Sequence, residues 1–186
     1  MNQDRRANRK SPRLLIILGL AAIFATITWR MYLDSGQRFV GKVPPEFPAG
    51  GAWIGAEKPL SLRELRGRVV LLQFSFVSCP YCREMDPYLH KWQQKFSSQG
   101  LTMIEVDDGS SDSLEEVRNW AASSGVPYPV YFDEAGRMCT AYDIHSFPYT
   151  LVIGRDGKVV WELRGWLGES GITTMENQVR QALARQ

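Results

Sequence analysis

The sequence predicts an α/β domain with a mixed central sheet flanked by helices, preceded by a single membrane-spanning helix. Three observations predict this: apolar runs of strand length alternate with amphipathic helical segments, one run is apolar on both faces, and an uncharged stretch precedes them all. The chain has 186 residues, 44% hydrophobic and 11% aromatic, a composition that excludes a disordered protein. The length suits one domain of ordinary size with an appendage.

The formal net charge of +2 is distributed unevenly along the chain. The chain has 22 basic and 20 acidic groups. Residues 1–13 hold five basic groups and one acidic group, so residues 14–186 hold 17 basic and 19 acidic groups. A short basic head therefore precedes a slightly acidic body. Nucleic-acid binding is not expected, because it requires Lys and Arg clustered on a folded domain.

Residues 14–33 are predicted to form a transmembrane anchor. Residues 14–29 carry no charge, and twenty residues at ~1.5 Å each span a hydrocarbon core of roughly 30 Å. The positive-inside rule places the basic head, residues 1–13, in the cytoplasm and the body beyond the membrane, in the extracytoplasmic space. The alternative is a cleaved signal peptide, which is disfavoured because residues 30–34 lack a small-residue cleavage site.

Residues 34–51 are predicted to be an extended linker. They contain three prolines and four glycines, a composition that suits a spacer better than a packed element. The folded domain is then expected over residues 52–186, which is long enough to bury a core without disulfide staples.

The first elements of the domain follow from capping and periodicity. The capping-box pattern of residues 61–64 predicts a short helix that ends at Gly67. Residues 69–77, VVLLQFSFV, predict a central strand buried on both faces. A helix should follow from Pro80, with a kink at Pro87. Its apolar stripe consists of Met85, Leu89, Trp92 and Phe96.

The remaining elements continue the alternation of strands and helices. They are a strand over 101–106, a helix capped by residues 113–116, a strand over 128–132, a short helix over 137–142, a hairpin of 149–153 and 159–163 around Asp156-Gly157, and a final helix with Ile172, Met175, Val179 and Leu183 on one face. The order β-α-β-α-β-α-β-β-α implies a mixed sheet with helices on both faces.

Two cysteines at C-x-x-C spacing, Cys79 and Cys82, lie where the central strand leads into the following helix. Two residues between cysteines in a first helical turn bring the sulfur atoms within bonding reach. Cys79 then lies at the helix N-terminus, where unpaired N–H groups and the dipole stabilise a thiolate. Pro80 at the first helical position removes no hydrogen bond. We therefore predict thiol–disulfide exchange, in which Cys79 attacks and the more buried Cys82 resolves the mixed disulfide.

A structural disulfide and a metal site are the alternatives for this pair. Zinc would need a second Cys/His pair, and the only histidines, His90 and His145, are far apart in sequence. We expect His145 to be a solvated loop histidine and His90 to be a residue of a helix surface. Cys139 is expected to be a buried structural thiol, the alternative being a third redox cysteine. Neither a metal nor a cofactor is predicted.

The sequence around these cysteines resembles the thioredoxin superfamily. The resemblance is carried by PLSLRELRGRVVLLQFSFVSCPYCREMDP and, downstream, by VPYPVYFDEAGRMCTAYDIHSFPYTLVIGRDGKVV. Over residues 52–184 the chain is similar to the TlpA/ResA-like membrane-anchored thiol–disulfide oxidoreductases. The resemblance implies a thioredoxin-like fold and a redox disulfide between Cys79 and Cys82. It also implies a single-pass protein of a bacterial inner membrane, with its C-terminal domain in the periplasm or extracytoplasmic space.

The resemblance also implies the residues that support the site. Pro148 would have a cis peptide bond and face the C-x-x-C, and Phe147 would offer backbone groups to an extended substrate. The dipeptide Pro80-Tyr81 is one of the elements that tune the reduction potential.

Three positions depart from the family's pattern. Ser78 replaces the usual Trp before the first cysteine, and Met85 replaces a glutamate of ResA-like members. Gln73 stands where thioredoxins carry a buried acid. Because a glutamine cannot accept the Cys82 proton, that proton must reach solvent by another route. These departures leave the rate and the redox direction open.

The resemblance implies that the clients are disulfide-containing proteins of cytochrome c or copper-site maturation, with a membrane thiol transporter as electron donor. One alternative is a peroxiredoxin-like peroxidase, which would need Thr or Ser where this chain has Phe76. The other is a non-catalytic copper chaperone. Such proteins of this superfamily use C-x-x-x-C with a distal histidine, whereas this chain has C-x-x-C.

Overall fold

A computed structural model of the chain describes Gly19, residues 23–26 and residues 37–185. Within the predicted anchor, residues 14–33, only Gly19 and residues 23–26 are described, and they are helical. The rest of the anchor, the basic head and residues 34–36 lie outside the described residues. No helix in the described ranges is long and apolar enough to cross a membrane.

The domain is built on one six-stranded mixed sheet. Its strands are β1 (Ala52–Ile54), β2 (Val69–Ser75), β3 (Leu101–Gly109), β4 (Val130–Glu134), β5 (Tyr149–Ile153) and β6 (Val159–Arg164). Its helices are α1 (Pro80–Phe96), α2 (Leu114–Ser123), α3 (Arg137–Tyr142) and α4 (Gly168–Ala184), with a 3₁₀ turn at Ser97–Gln99. The strand order is β1-β4-β3-β2-β5-β6. β2, β3 and β4 run parallel, while β1, β5 and β6 pair antiparallel with their neighbours. The predicted mixed α/β architecture is confirmed.

β2 lies at the centre of this architecture, and all seven of its residues are buried, as its apolar run predicts. One of its faces joins a core with α1 and α4, and the other joins a core with α3. The predicted stripe of α1 is buried: Met85, Leu89, Trp92 and Phe96. α1 runs through Pro87 as one helix of 17 residues. This helix begins shortly after β2 ends, so its N-terminus lies at the end of the sheet where β2 stops.

Within the expected linker, residues 39–51 are held on the domain by specific contacts. Phe39 is buried in the core, and Val40 forms a parallel bridge with Val159 of β6. The carbonyl oxygens of Pro45 and Pro48 accept hydrogen bonds of 2.7 and 3.0 Å from the hydroxyls of Tyr142 and Tyr131. The compact unit consequently begins at Phe39 rather than at residue 52. The prolines remove backbone donors, but their carbonyl oxygens still bind tyrosine hydroxyls.

The expected short helix after Ser61 is replaced by turns. The acid that caps these turns is Glu46, which lies upstream in the chain. Its carboxylate accepts hydrogen bonds from the Ser61 hydroxyl at 3.0 Å and the Leu62 N–H at 2.7 Å. It also accepts one from the Arg63 N–H at 3.0 Å. Burial acts to raise the pKa of Glu46, but these hydrogen bonds outweigh it and hold the pKa below its usual value. The predicted capping box of α2 is confirmed, with Ser113 and Glu116 bonded reciprocally.

Candidate active site

Cys79 is the N-cap residue of α1, directly after the three residues that leave β2. It forms a disulfide with Cys82, with a Cα–Cα distance of 5.3 Å. The backbone N–H of Cys82 donates a hydrogen bond to Cys79 Sγ at 3.2 Å. In the reduced protein the same N–H and the positive end of the helix dipole favour a thiolate at Cys79.

The two cysteines differ in access to solvent. Cys79 keeps 2% of its surface exposed, and Cys82 keeps none. The residues around Cys79 are more open: Ser78, Pro80 and Tyr81 are exposed, Tyr81 to 51%. The order of exposure fits the predicted roles, in which Cys79 meets the partner and Cys82 acts from within.

Pro148 lies directly before β5, and the peptide bond between Phe147 and Pro148 is cis, as the resemblance implies. β5 pairs with β2, so the start of β5 lies beside the end of β2. The Phe147 ring meets the Phe76 ring edge-on, with 5.4 Å between centroids. Because Phe76 belongs to the loop that leads to Cys79, the fold brings Phe147 and Pro148 to the same end of the sheet as the C-x-x-C.

Gln73 is buried in β2 and bonded on both sides. Its amide nitrogen lies 4.0 Å from the Met85 sulfur, and its carbonyl oxygen accepts a 3.4 Å hydrogen bond from Thr150. The two positions where relatives carry acids are therefore in contact with each other here. Neither side chain can take up a proton near neutral pH.

A buried carboxylate lies next to Gln73 on the neighbouring strand. Glu105 of β3 is paired in register with Gln73 and is 1% exposed. One oxygen accepts a 3.0 Å hydrogen bond from Arg83 and a short one from the Ser75 hydroxyl, and the other accepts a 3.3 Å bond from Tyr128. Glu105 is thus a fully bonded partner for the guanidinium that follows Cys82 in the chain.

Arg83 joins Glu105 to Asp86 of α1, and these three side chains form an ionic cluster. Its guanidinium pairs with Asp86 at 3.2 Å and lies over the Trp120 ring, 4.0 Å from the centroid. Burial, and next the repulsion from Glu105, raise the pKa of Asp86 to about 7 despite the pairing with Arg83. Burial lowers the pKa of His90, one turn further along α1.

The ionic cluster was not predicted from sequence, although a signal for it is present. Glu105 and Asp107 interrupt the otherwise apolar start of β3, residues 101–107, and Arg83 directly follows Cys82. Acids at alternate positions of a strand share one face of the sheet. A helix that packs on that face either provides a cation to pair with a buried acid or leaves the acid unpaired, which is unfavourable.

The third thiol and the second histidine lie away from the C-x-x-C in sequence. Cys139 is free, 6% exposed, and lines a cavity of about 260 Å³ next to Asp108. Burial, then the charges of Asp108 and Asp133, raise the pKa of its thiol, which makes it a poor nucleophile. The His145 side chain is 83% exposed and lies 3.0 Å from Asp143. Among the described residues, no group of three His, Cys, Asp or Glu side chains could hold a metal ion.

Comparisons with known proteins agree on one family. The sequence profile of the AhpC/TSA family matches residues 40–162, a range that includes both active-site cysteines and Pro148. The thiol-disulfide oxidoreductase ResA of Bacillus subtilis (strain 168) is 33% identical over 123 residues, which are 66% of this chain and 68% of that protein. The ResA of Bacillus cereus (strain ATCC 10987 / NRS 248) is 26% identical over 161 residues, 86% and 90% of the two chains. The crystal structure of a putative thiol:disulfide interchange protein DsbE from Chlorobium tepidum matches with 25% sequence identity and a TM-score of 0.68. The match covers 78% of this chain and 98% of that chain.

Proposed function

The chain belongs to the AhpC/TSA family of thioredoxin-like proteins and is a thiol–disulfide oxidoreductase of the ResA/DsbE type, and on this basis we propose that it is a membrane-tethered reductase of protein disulfides outside the cytoplasm. The observation that carries the exchange chemistry is the position of Cys79. It caps α1, accepts the Cys82 N–H at its sulfur and remains the more exposed of the two cysteines. In the reducing direction, the Cys79 thiolate attacks a client disulfide, and Cys82 then displaces the reduced client.

The exchange roles are tested on the full-length protein with insulin as the disulfide substrate. We expect Cys79→Ser to abolish catalysed reduction, because no attacking thiolate remains. Cys82→Ser should accumulate mixed disulfides, because the resolving thiol is lost. Cys139→Ser is the matched control and should keep the wild-type rate. Full activity in Cys79→Ser would overturn the assignment.

The redox direction is set by the reduction potential of the C-x-x-C. Dithiols of this superfamily span roughly −270 to −120 mV. We expect a value toward the reducing end, measured by equilibration with glutathione. A potential near about −120 mV would make the protein an oxidant and would contradict the reductase proposal.

The proposed topology has residues 1–13 in the cytoplasm, residues 14–33 as the anchor and the folded domain beyond the membrane. It is supported by the uncharged stretch of residues 14–29 and the basic head that precedes it. A C-terminal fusion to alkaline phosphatase, which is active only after export, should be active in cells. N-terminal sequencing of the mature protein should find the anchor retained. An inactive fusion would contradict export, and a mature start near residue 35 would contradict the anchor.

The proposed clients are proteins of cytochrome c or copper-site maturation, with a membrane thiol transporter as the electron donor. This follows the family resemblance, and a tether near other membrane proteins raises their effective concentration. Cys82→Ser expressed in cells should trap such clients as mixed disulfides that mass spectrometry can identify. Trapping of unrelated proteins alone would contradict the client class.

The peroxidase alternative receives no support from the loop before Cys79. Phe76 carries no hydroxyl, and its ring is occupied by the contact with Phe147. Peroxide consumption that survives Cys82→Ser would favour that alternative. Stoichiometric copper binding without exchange activity would favour a chaperone.

A further inference from the structure

Asp107 is a buried acid with no hydrogen-bond donor at its carboxylate among the residues that the structure describes. It lies near the end of β3 and is fully buried, and neither of its carboxylate oxygens accepts a hydrogen bond from any described residue. An ionised carboxylate in such a place is strongly unfavourable, since burial removes its hydration and nothing replaces it. The side chain therefore holds a proton under conditions in which an ordinary aspartate does not.

A second carboxyl group connects Asp107 to the active-site loop. Asp112, on the loop before α2, is a side-chain partner that a protonated Asp107 can donate to. Asp112 in turn accepts a 2.6 Å hydrogen bond from the backbone N–H of Val77, two residues before Cys79. Asp107 is also paired in register with Ser75, the last residue of β2. The acid pair, Asp107 and Asp112, thus lies beside the segment that carries Cys79.

The charges around Asp107 are almost all negative. Glu105 and Asp108 flank it on β3, Asp112 faces it from the loop, and each of these charges acts to raise its pKa. On β2 it is paired in register with the neutral Ser75, and its charge contributes to the raised pKa of the Cys139 thiol on α3. Arg83 of α1 is already paired with Glu105 and Asp86. Burial first, and then these carboxylates, raise the pKa of Asp107 to about 8.

We propose that Asp107 is a positioning residue for the exchange reaction: it takes up and releases a proton in step with reduction and oxidation of the Cys79–Cys82 disulfide, through Asp112 and the active-site loop. It thereby supplies the ionisable group that Gln73 and Met85 do not. The inference rests on the proposed exchange function and adds a proton site to it.

The coupled step balances in protons and electrons. A partner dithiol gives two electrons to the Cys79–Cys82 disulfide, whose S–S bond breaks, and becomes a disulfide itself. At pH values where Asp107 is ionised, from about 8 upward, one of the two protons of the partner dithiol goes to Cys82 and the other to Asp107, while Cys79 remains a thiolate. The net charge of the site is the same before and after. The carboxylate thus loses its charge as the thiolate gains one, which avoids two negative charges at one end of the sheet.

The test is the pH dependence of the redox equilibrium in the full-length protein and in Asp107→Asn. Each protein is equilibrated with glutathione between about pH 6 and about pH 10, and the wild-type equilibrium constant for reduction is divided by that of the variant. The ionisation of glutathione is common to both and cancels. At low pH Asp107 is neutral, so the ratio is flat. As Asp107 ionises it repels the Cys79 thiolate, and the ratio should fall roughly two- to tenfold.

Two further variants make the test specific. Glu115→Gln removes an exposed charge from α2 that does not act on Asp107, and it should leave the step where it is. Asp112→Asn retains an acceptor for the Val77 N–H, removes the charge beside Asp107, and should move the step to lower pH. If Asp107→Asn fails to fold, the wild-type equilibrium constant is divided by that of Asp112→Asn instead. That ratio should change over the pH interval between the two titrations of Asp107, and a ratio that is constant across the whole range overturns the inference.

The outcomes separate this inference from the proposed function. A ratio that stays constant across the whole pH range, with normal exchange activity, overturns the role of Asp107 and leaves the oxidoreductase intact. A dithiol that does not equilibrate with glutathione in any variant overturns the proposed exchange function itself.

Discussion

Glu105 and Asp107 are two residues apart on the same face of β3, yet their surroundings differ in one respect that decides their chemistry. Glu105 has a guanidinium and two hydroxyls on its oxygens. Asp107 has none of these and faces other carboxylates. A bonded, paired carboxylate can stay ionised in the interior, whereas an unpaired one keeps its proton. Neighbouring acids therefore serve different purposes, one to hold Arg83 and the other to exchange a proton.

The raised pKa of Asp107 makes the folded state less stable as pH rises. Between the ordinary aspartate pKa and about 8, the folded chain binds this proton and the unfolded chain does not. The contribution is complete below the unfolded pKa and is lost, at about 1.4 kcal/mol per pH unit, as pH rises toward the folded pKa.

Asp107→Asn should therefore be more stable than the wild type by roughly 1–3 kcal/mol at neutral pH, after the penalty for a buried amide. Urea unfolding between about pH 5 and 8 measures it. The difference should grow with pH, and Asp108→Asn should not reproduce that growth. Equal pH slopes for wild type and Asp107→Asn would mean that Asp107 is ionised like an exposed aspartate.

Removal of the other acid should have the opposite effect. Glu105→Gln leaves Arg83 facing a neutral amide in a buried site, and loss of a buried ion pair costs about 3 kcal/mol. The pKa of Asp86 should fall as well, because repulsion from Glu105 contributes to its raised value. Urea unfolding measures the first effect and carboxyl-carbon NMR titration the second. Glu115→Gln, on the exposed side of α2, is the control. An unchanged pKa of Asp86 would contradict the repulsion between Glu105 and Asp86 in this cluster.

At the scale of elements, the turn after Ser61 depends on a side chain from a distant segment. Glu46 provides the acceptor that a helix would find within its own first turn. The depressed pKa of Glu46 means that this contribution is present above the unfolded pKa and is lost as pH falls through the folded pKa.

Glu46→Ala should lower the free energy of unfolding by roughly 1 kcal/mol at neutral pH, the usual effect of losing a capping acceptor. Thermal unfolding measures it, and the difference from wild type should shrink in acid. Glu57→Ala is the matched control, since Glu57 is an exposed acid of the same region. A difference that persists at low pH would mean that the carboxylate is not the stabilising group.

The elements that could be predicted are those whose pattern is local. The stripe of α1, the capping box of α2, the hairpin of β5 and β6, and the C-x-x-C at a helix N-terminus all follow from residues within one turn or one strand. The contacts of Glu46 with residues 61–63 and of Asp112 with Val77 join segments far apart in the chain. The pairings of Gln73 with Glu105 and of Ser75 with Asp107 depend on the register of β2 with β3, which a single sequence does not reveal.

At the scale of the whole molecule, the boundary of the folded unit is the main difference from the sequence-based expectation. Proline and glycine content predicts a spacer up to residue 51, but the two aromatic residues of this segment, Phe39 and Phe47, pack on the domain. The Phe47 ring contacts Trp53 and Tyr131, with centroid distances of 4.8 and 5.1 Å. Composition counts the residues that break regular structure and overlooks the few that pack.

Phe39→Ala tests this boundary in the full-length chain. Phe39 is buried, so truncation should cost about 3–5 kcal/mol. Val43→Ala, in the same segment but 57% exposed, should stay within about 0.5 kcal/mol of wild type. Thermal unfolding of the three proteins measures both. Similar small effects for Phe39→Ala and Val43→Ala would show that this segment does not contribute to the fold.

The contact of Val40 with β6 also affects how this protein meets other chains. The sheet ends on one side in β1, which is only three residues long. On the other side, the start of β6 is occupied by two backbone hydrogen bonds, from Gly41 N–H to Val159 and from Val159 N–H to Lys42. Short or occupied edge strands leave few unpaired groups to template further strand addition. The domain can therefore handle extended polypeptides through its cysteines with little tendency to aggregate with them edge to edge.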